Sequence, residues 1–430
     1  MKVLARETWG SRVGFVAAAI GSAVGLGNIW MFPMRAGLYG GAAFLIPYLV
    51  LLFAVGVVAL TVEWTLGRAT KGGPIEAFEK TLPGGKYLGI LVNVTILMIF
   101  AFYSLVLGWV IRYFIASLSG ELTRIEPDKF FNALAFSREA LLWLFVVIAL
   151  TIAIVAMGVQ RGIERANKIM MPLLFVLLIV LAVRSVTLPN AYEGLKFYLL
   201  PDLSKIASGK TWMIALSQMF FSLSVLGNTM VVYGSYLREE DDIPLSAIAT
   251  AFGDTAVAVT AGFIVFPAVF SFGLEPTAGP GLVFVTLPMV FQKMPGGMIF
   301  SALFFLLLIF AGLSSTVSML EVYVDSAITK LKISRKNASV LLGLLTFLVG
   351  APSALYPAYF DWLINISTVY VGPLGALIAA LALIKLGVDR AYEELQKGAL
   401  IKVPELWKPW VKFLYPIVIV VIYISQFLLG

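Results

Sequence analysis

The chain has 430 residues, 60% of them hydrophobic and only 13% charged, with a mean hydropathy of +0.96 and a net charge of +7. Soluble domains hold roughly 45–50% apolar and about 25% charged residues, so this composition excludes a soluble globular protein and points to a polytopic membrane protein. Cysteine and histidine are both absent, which removes disulfides, thiol catalysis, thiolate metal sites and the commonest proton shuttle, and argues against metalloenzyme or redox chemistry.

A membrane span needs about 20 mostly apolar residues. Eleven windows qualify: 13–37, 41–67, 87–118, 139–158, 168–187, 211–236, 243–273, 296–328, 337–356, 361–386 and 411–429. Several exceed 25 residues, which implies tilt or extension beyond the bilayer. Of the 31 Lys and Arg residues, 21 fall in connections on the side of the N terminus. The positive-inside rule then places the N terminus in the cytoplasm and, after eleven spans, the C terminus outside the cell membrane. The longest outer connections are expected at 119–138, 188–210 and a Gly/Pro-rich loop near 274–295.

Two spans contain breaks. GSAVGLGN (21–28) interrupts span 1 and SLSVLGN (222–228) interrupts span 6. In hydrocarbon every freed N–H and C=O must find another partner, so a membrane helix is not broken without a compensating arrangement. The breaks head two halves of five spans, roughly 10–190 and 205–390, with span 11 (411–429) as an addition. An odd number of spans per half inverts the second half, and paired glycine-interrupted spans in inverted halves point to a transporter's central site. Unwound carbonyls can hold a cation there, while half-helix N-termini offer N–H groups to an anion. Close helix packing is the commoner reason for an isolated membrane glycine, but it explains a recurring Gly/Asn cluster poorly.

GSAVGLGNIWMFP (21–33), GGAAFLIPY (40–48), EWTLGR (63–68), AFYSLVLGW (101–109), GIERANKIMMP (162–172), FFSLSVLGN (220–228), FAGLSSTVSM (310–319) and KISRKNA (332–338) resemble, in order and over nearly the whole chain, the signature of the neurotransmitter:sodium symporter family. The resemblance implies a single all-α transporter domain of LeuT-like fold with a 5+5 inverted repeat. It also implies sodium-driven uptake of amino acids or related amines, with sodium ions at two sites and no organic cofactor. The expected partners are the substrate, sodium and the lipid bilayer, not nucleic acid; the oligomeric state is not legible.

Carried over residue by residue, the resemblance gives one sodium site to Gly21, Val24, Ala311, Ser314 and Ser315. The other falls to Ala23, Asn28, Ser222 and Asp254, together with the substrate carboxylate. Oxygen-only ligands suit a hard cation, although serines on span 8 also bond to carbonyls one turn back in ordinary helices. The substrate pocket is expected from Ala23, Gly25, Gly27, Ile99, Tyr103, Val106, Phe221, Ser222, Ser224, Gly227, Ser315 and Met319. Gly25 stands where monoamine carriers of the family have an aspartate, so a carboxylate fits there and the substrate is expected to be an amino acid. Tyr103 matches the tyrosine that donates to that carboxylate.

Three positions depart from the family pattern. Met31 stands where an outer-gate arginine is expected, leaving Arg35 to face Asp361, with Gln218 matching a neighbouring gate residue. The inner partner of Arg6 reads as Thr329, so Asp325, one turn earlier, becomes the candidate. The span 6 break puts Leu226 at a glycine position and Gly227 where a bulky pocket aromatic is expected. Glu63 is read as an acceptor for amides freed by both breaks, because a charge facing lipid is costly; Glu321 has no evident partner. With Ala258 one turn beyond it, Asp254 is the only acid of its stretch. A fixed carboxylate there predicts chloride-independent transport, unless Asp254 is merely capped by Thr250 or Thr255. The alternative function is an amino-acid sensor or scaffold built on the transporter fold without coupled transport.

Overall fold

The computed structural model describes residues 6–274 and 281–429, with side chains described as far as residue 424. Among the described residues, nine helices are long and apolar enough to cross a membrane, and a tenth span is a bent pair, Arg12–Ala23 with Gly27–Leu38, turned by 53° at its break. That pair is span 1. Spans 2 to 5 are Ala42–Thr70, Gly85–Leu118, Arg138–Val155 and Val159–Val186. Span 6 is itself divided, into Gly209–Ser222 and Thr229–Ser235, so neither part is long enough alone. Spans 7 to 11 are Ile243–Ser271, Gly297–Leu331, Arg335–Ala354, Pro357–Leu386 and Trp407–Ile424.

Both expected breaks are therefore present, at the residues where the sequence loses helical character. Span 5 begins earlier than its apolar window, because Val159–Glu164 forms a wide π turn that carries the helix into GIERANK. The connections are more ordered than loops. The first outer one folds as helix Pro127–Ala135 and the second as Ala191–Leu199. In the third, residues 275–280 lie outside the described residues, while Leu282–Thr286 and Leu287–Lys293 are helical instead of forming a loop. Burial explains that difference: Phe284 stacks on Phe131 at 5.2 Å and meets Tyr113 edge-on at 5.1 Å, so the apolar half of this segment packs on span 3.

Spans 3 and 8 pack along one another, and span 1 lies against spans 5, 7 and 8. The breaks consequently sit among other helices and away from lipid. Helix Val388–Gln396 packs against the end of span 2, where the buried Arg68 pairs with Glu394 at 2.8 Å.

Candidate functional site

The first helix of span 1 ends at Val24, whose backbone is extended (φ −69°, ψ 115°). Two side chains satisfy the amides this frees. Gly25 N–H donates to Asn28 Oδ1 at 3.0 Å and Leu26 N–H to the Tyr103 hydroxyl at 2.9 Å. At the second break, Gly227 N–H donates to Glu63 Oε1 at 2.7 Å and Thr229 N–H to Asn228 Oδ1 at 2.5 Å. The breaks are also tied to each other, because Ser224 Oγ donates to the Ser22 carbonyl at 2.9 Å. This is the internal satisfaction that irregular backbone at membrane depth requires. Glu63 thus serves span 6 only, not both breaks as expected.

Beside the first break lies a buried polar cluster. Asn28 and Asp254 are fully buried, and Asn28 Nδ2 donates to Asp254 Oδ1 at 2.7 Å and to Ser222 Oγ at 3.1 Å. Ser222 Oγ donates to Asp254 Oδ2 at 2.8 Å, and the Tyr48 hydroxyl reaches the same oxygen at 3.2 Å. Asp254 is held by these three groups and not by Thr250 or Thr255. Asn28 turns its N–H side to the carboxylate, while its oxygen accepts from the Gly25 N–H.

The second expected sodium set also comes together. Ser315 Oγ reaches the carbonyls of Val24 and Ala311, each at 3.2 Å, and Ser314 Oγ lies 2.9 Å from the Ala311 carbonyl. A Cβ built on Gly21 would stand 3.1 Å from Ser314 Cβ, so span 1 touches span 8 at this level. Four oxygens of hydroxyl and carbonyl type thus meet on spans 1 and 8, with Gly21 packed beside them, and oxygens of that type suit a hard alkali cation.

Two adjoining cavities follow. The inner one, about 40 Å³, is lined by every expected pocket residue except Val106, Gly227 and Ser315. Val106 instead lines the outer cavity of about 420 Å³, while Gly27, Tyr103, Phe221 and Leu226 border both. Gly227 does not face the pocket. Its φ is +72°, and a Cβ there would lie 2.0 Å from the Gly375 carbonyl oxygen, so it turns its bare face to span 10 and presents Leu226 to the cavities.

The two charge pairs expected as gates differ. Arg35 and Asp361 both line the outer cavity but form no ion pair; Arg35 Nη1 donates to Gln218 Oε1 at 2.7 Å instead. A wide cavity keeps the two charges apart, which is the physical reason the expected outer pair is not formed here. At the inner end Arg6 Nη2 lies 3.1 Å from Asp325 Oδ1, and Arg6 also bonds Ser235. The Tyr236 hydroxyl joins Asp325 (3.0 Å) to Glu321 (2.5 Å), and Arg335 holds Glu321 at 2.6 and 3.0 Å. Thr329 only caps the Asp325 carbonyl.

Sequence reading missed Tyr48 as an Asp254 partner, Arg335 as the Glu321 partner, and Ile96, Asn228, Thr229 and Ser318 as pocket walls. Tyr48, Arg335 and Asn228 all stand inside motifs singled out from the sequence, so the signal was position within the motif. Ile96 lies one turn from Ile99 on span 3, where helical spacing could have found it.

The model of the sodium:neurotransmitter symporter family matches residues 6–140 and 129–429. The chain belongs to that family. It is a family of transporters, not enzymes. YhdH of Bacillus subtilis strain 168, described as a sodium-dependent transporter, is 35% identical over 97% of this chain and 97% of its own. The sodium-dependent serotonin transporter of Drosophila melanogaster is 29% identical over 97% of this chain and 76% of its own. The crystal structure of MhsT in complex with L-phenylalanine superposes with a TM-score of 0.87 at 40% identity, covering 98% of this chain and 100% of that one.

Proposed function

We propose that the protein carries apolar or aromatic α-amino acids across the cell membrane together with sodium, by alternating access between two inverted five-span halves, and without a need for chloride. One observation supports this most: Asp254, Asn28 and Ser222 converge on the span 1 break within 3.1 Å of one another, beside a pocket whose other walls are largely apolar. Gly25 places no side chain at the break beside the Tyr103 hydroxyl, where a carboxylate is expected, and MhsT, a relative of 40% identity, was solved with an amino acid bound. Ser314, Ser315 and the carbonyls of Gly21, Val24 and Ala311 would hold the second sodium. A sodium ion supplies positive charge at the break and is carried with the substrate; the residues themselves position oxygens and exclude water. With the inner ion pairs formed and a 420 Å³ cavity on the other side of the pocket, the arrangement suits a carrier loaded from outside.

Uptake into proteoliposomes under an inward sodium gradient tests this reading. Leucine, methionine, phenylalanine and tryptophan are expected to compete for uptake, and lysine, glutamate and tyramine to compete poorly. Uptake that is indifferent to sodium, or that tyramine or glutamate blocks better than leucine, would overturn it.

A further inference from the structure

Asn228 is 1% exposed and closes one wall of the inner cavity, near Ile96, Thr229, Ser318 and Met319. Its Oδ1 accepts from the Thr229 N–H, whereas its Nδ2 has no hydrogen-bond partner. The assignment of the two atoms follows from chemistry: exchanging them would point an N–H group at an N–H group. The neighbouring Ser318 hydroxyl is engaged elsewhere, donating to the Ser315 carbonyl at 2.8 Å and accepting from Ser22 at 3.0 Å, and takes no bond from Asn228. A buried donor without an acceptor is costly, and here it belongs to a residue lining the cavity proposed to take the substrate.

We propose that Asn228 reads the substrate's side chain, favouring α-amino acids whose side chain bears a neutral oxygen acceptor, a hydroxyl or a carbonyl, over analogues of the same shape without one. This rests on the assignment of the inner cavity as the amino-acid pocket. The acceptor is neutral because Asp254 already places a carboxylate beside the same pocket through Asn28 and Ser222, and no basic side chain lines the inner cavity to balance a second. A buried unpaired charge would meet a large desolvation cost. A site built to bond a substrate hydroxyl rejects the analogue lacking it far more strongly than a pocket discriminates by shape alone.

The test measures binding to the purified protein in saturating sodium for two pairs differing by a hydroxyl, tyrosine against phenylalanine and threonine against valine. At least one pair is expected to favour the hydroxyl by about tenfold or more. In Asn228→Leu, which keeps the shape and loses the donor, that ratio is expected to fall to within about twofold; Asn228→Ala gives the same reading should the leucine variant fail to fold. Pairs that bind within twofold of each other in the native protein, or a preference that survives loss of Asn228, would overturn the inference while leaving the amino-acid pocket in place. Failure of all four amino acids to bind would instead overturn the pocket assignment beneath it.

Discussion

Gly227 and Gly375 meet face to face. A Cβ on Gly227 would lie 2.0 Å from the Gly375 carbonyl oxygen, and one on Gly375 would lie 2.0 Å from the Leu226 carbonyl oxygen. Span 10 can therefore press directly on the backbone of the span 6 break, holding Leu226 toward the cavities and the Gly227 N–H toward Glu63. Gly227 also needs its positive φ, which side-chain-bearing residues rarely adopt. Gly375→Ala is expected to cost about 1–3 kcal/mol by overpacking, and Gly227→Ala more, because strain adds to the clash. Thermal unfolding in detergent checks this: unchanged melting temperatures in both variants would show that the contact is not tight.

The inner network gives a second prediction. Glu321 is fully buried and is balanced by Arg335 at 2.6 Å. Removing one partner of a buried pair strands the other, at a cost on the order of 3–5 kcal/mol. Arg335→Ala should therefore loosen this end of the bundle and expose the N-terminal half of span 1 to labelling, and Glu321→Gln in the same chain should recover part of the loss. Labelling of a cysteine placed at Ser11, compared between the variants, decides it; equal labelling in all would remove the network from gating.

Sodium affinity supplies the third. Ser315 Oγ links spans 1 and 8, reaching the Val24 and Ala311 carbonyls. If it is a sodium ligand, Ser315→Ala should raise the sodium concentration for half-maximal substrate binding about tenfold, since a lost hydrogen-bonding or ligand oxygen is worth roughly 1–3 kcal/mol. Superimposable sodium titrations would mean the hydroxyl serves only the helices.

Gly25 leads to the fourth. A Cβ there would lie 2.7 Å from the Tyr103 hydroxyl and 2.9 Å from Ser315 Oγ. Gly25→Ala should weaken amino-acid binding, and Gly25→Asp should abolish it by adding a negative charge where the carboxylate is expected. Retention of near-native affinity in the aspartate variant would place the carboxylate elsewhere.

Which parts of this were legible in the sequence follows from how local their causes are. The breaks were readable because glycine and asparagine clusters at membrane depth act within a few residues, and Asp254 because an acid on an apolar span needs partners wherever it sits. The direction of Gly227 was not readable. It depends on Gly375, far away in the chain, and a motif comparison assigned to position 227 a side-chain role that Leu226 fills. Partners set by packing between distant spans, such as Tyr48 with Asp254 and Arg335 with Glu321, stayed hidden for the same reason. The outer pair of Arg35 and Asp361 depends on conformation: with a 420 Å³ cavity between the walls, Arg35 turns to Gln218.

The central claim is that a fixed carboxylate at Asp254 balances the sodium charge at the span 1 break. Cations brought into a poorly solvated site are unfavourable unless an anion compensates, and the Asp254 side chain lies against Asn28 and Ser222, where that charge would stand. The direct measurement is sodium-driven uptake of phenylalanine into proteoliposomes with all chloride replaced by gluconate, in the native protein and in Asp254→Asn. The account predicts that native uptake persists without chloride, and that the asparagine variant is inactive or becomes chloride-stimulated. Native uptake that collapses in gluconate, or a variant as active and as chloride-indifferent as the native protein, would contradict it.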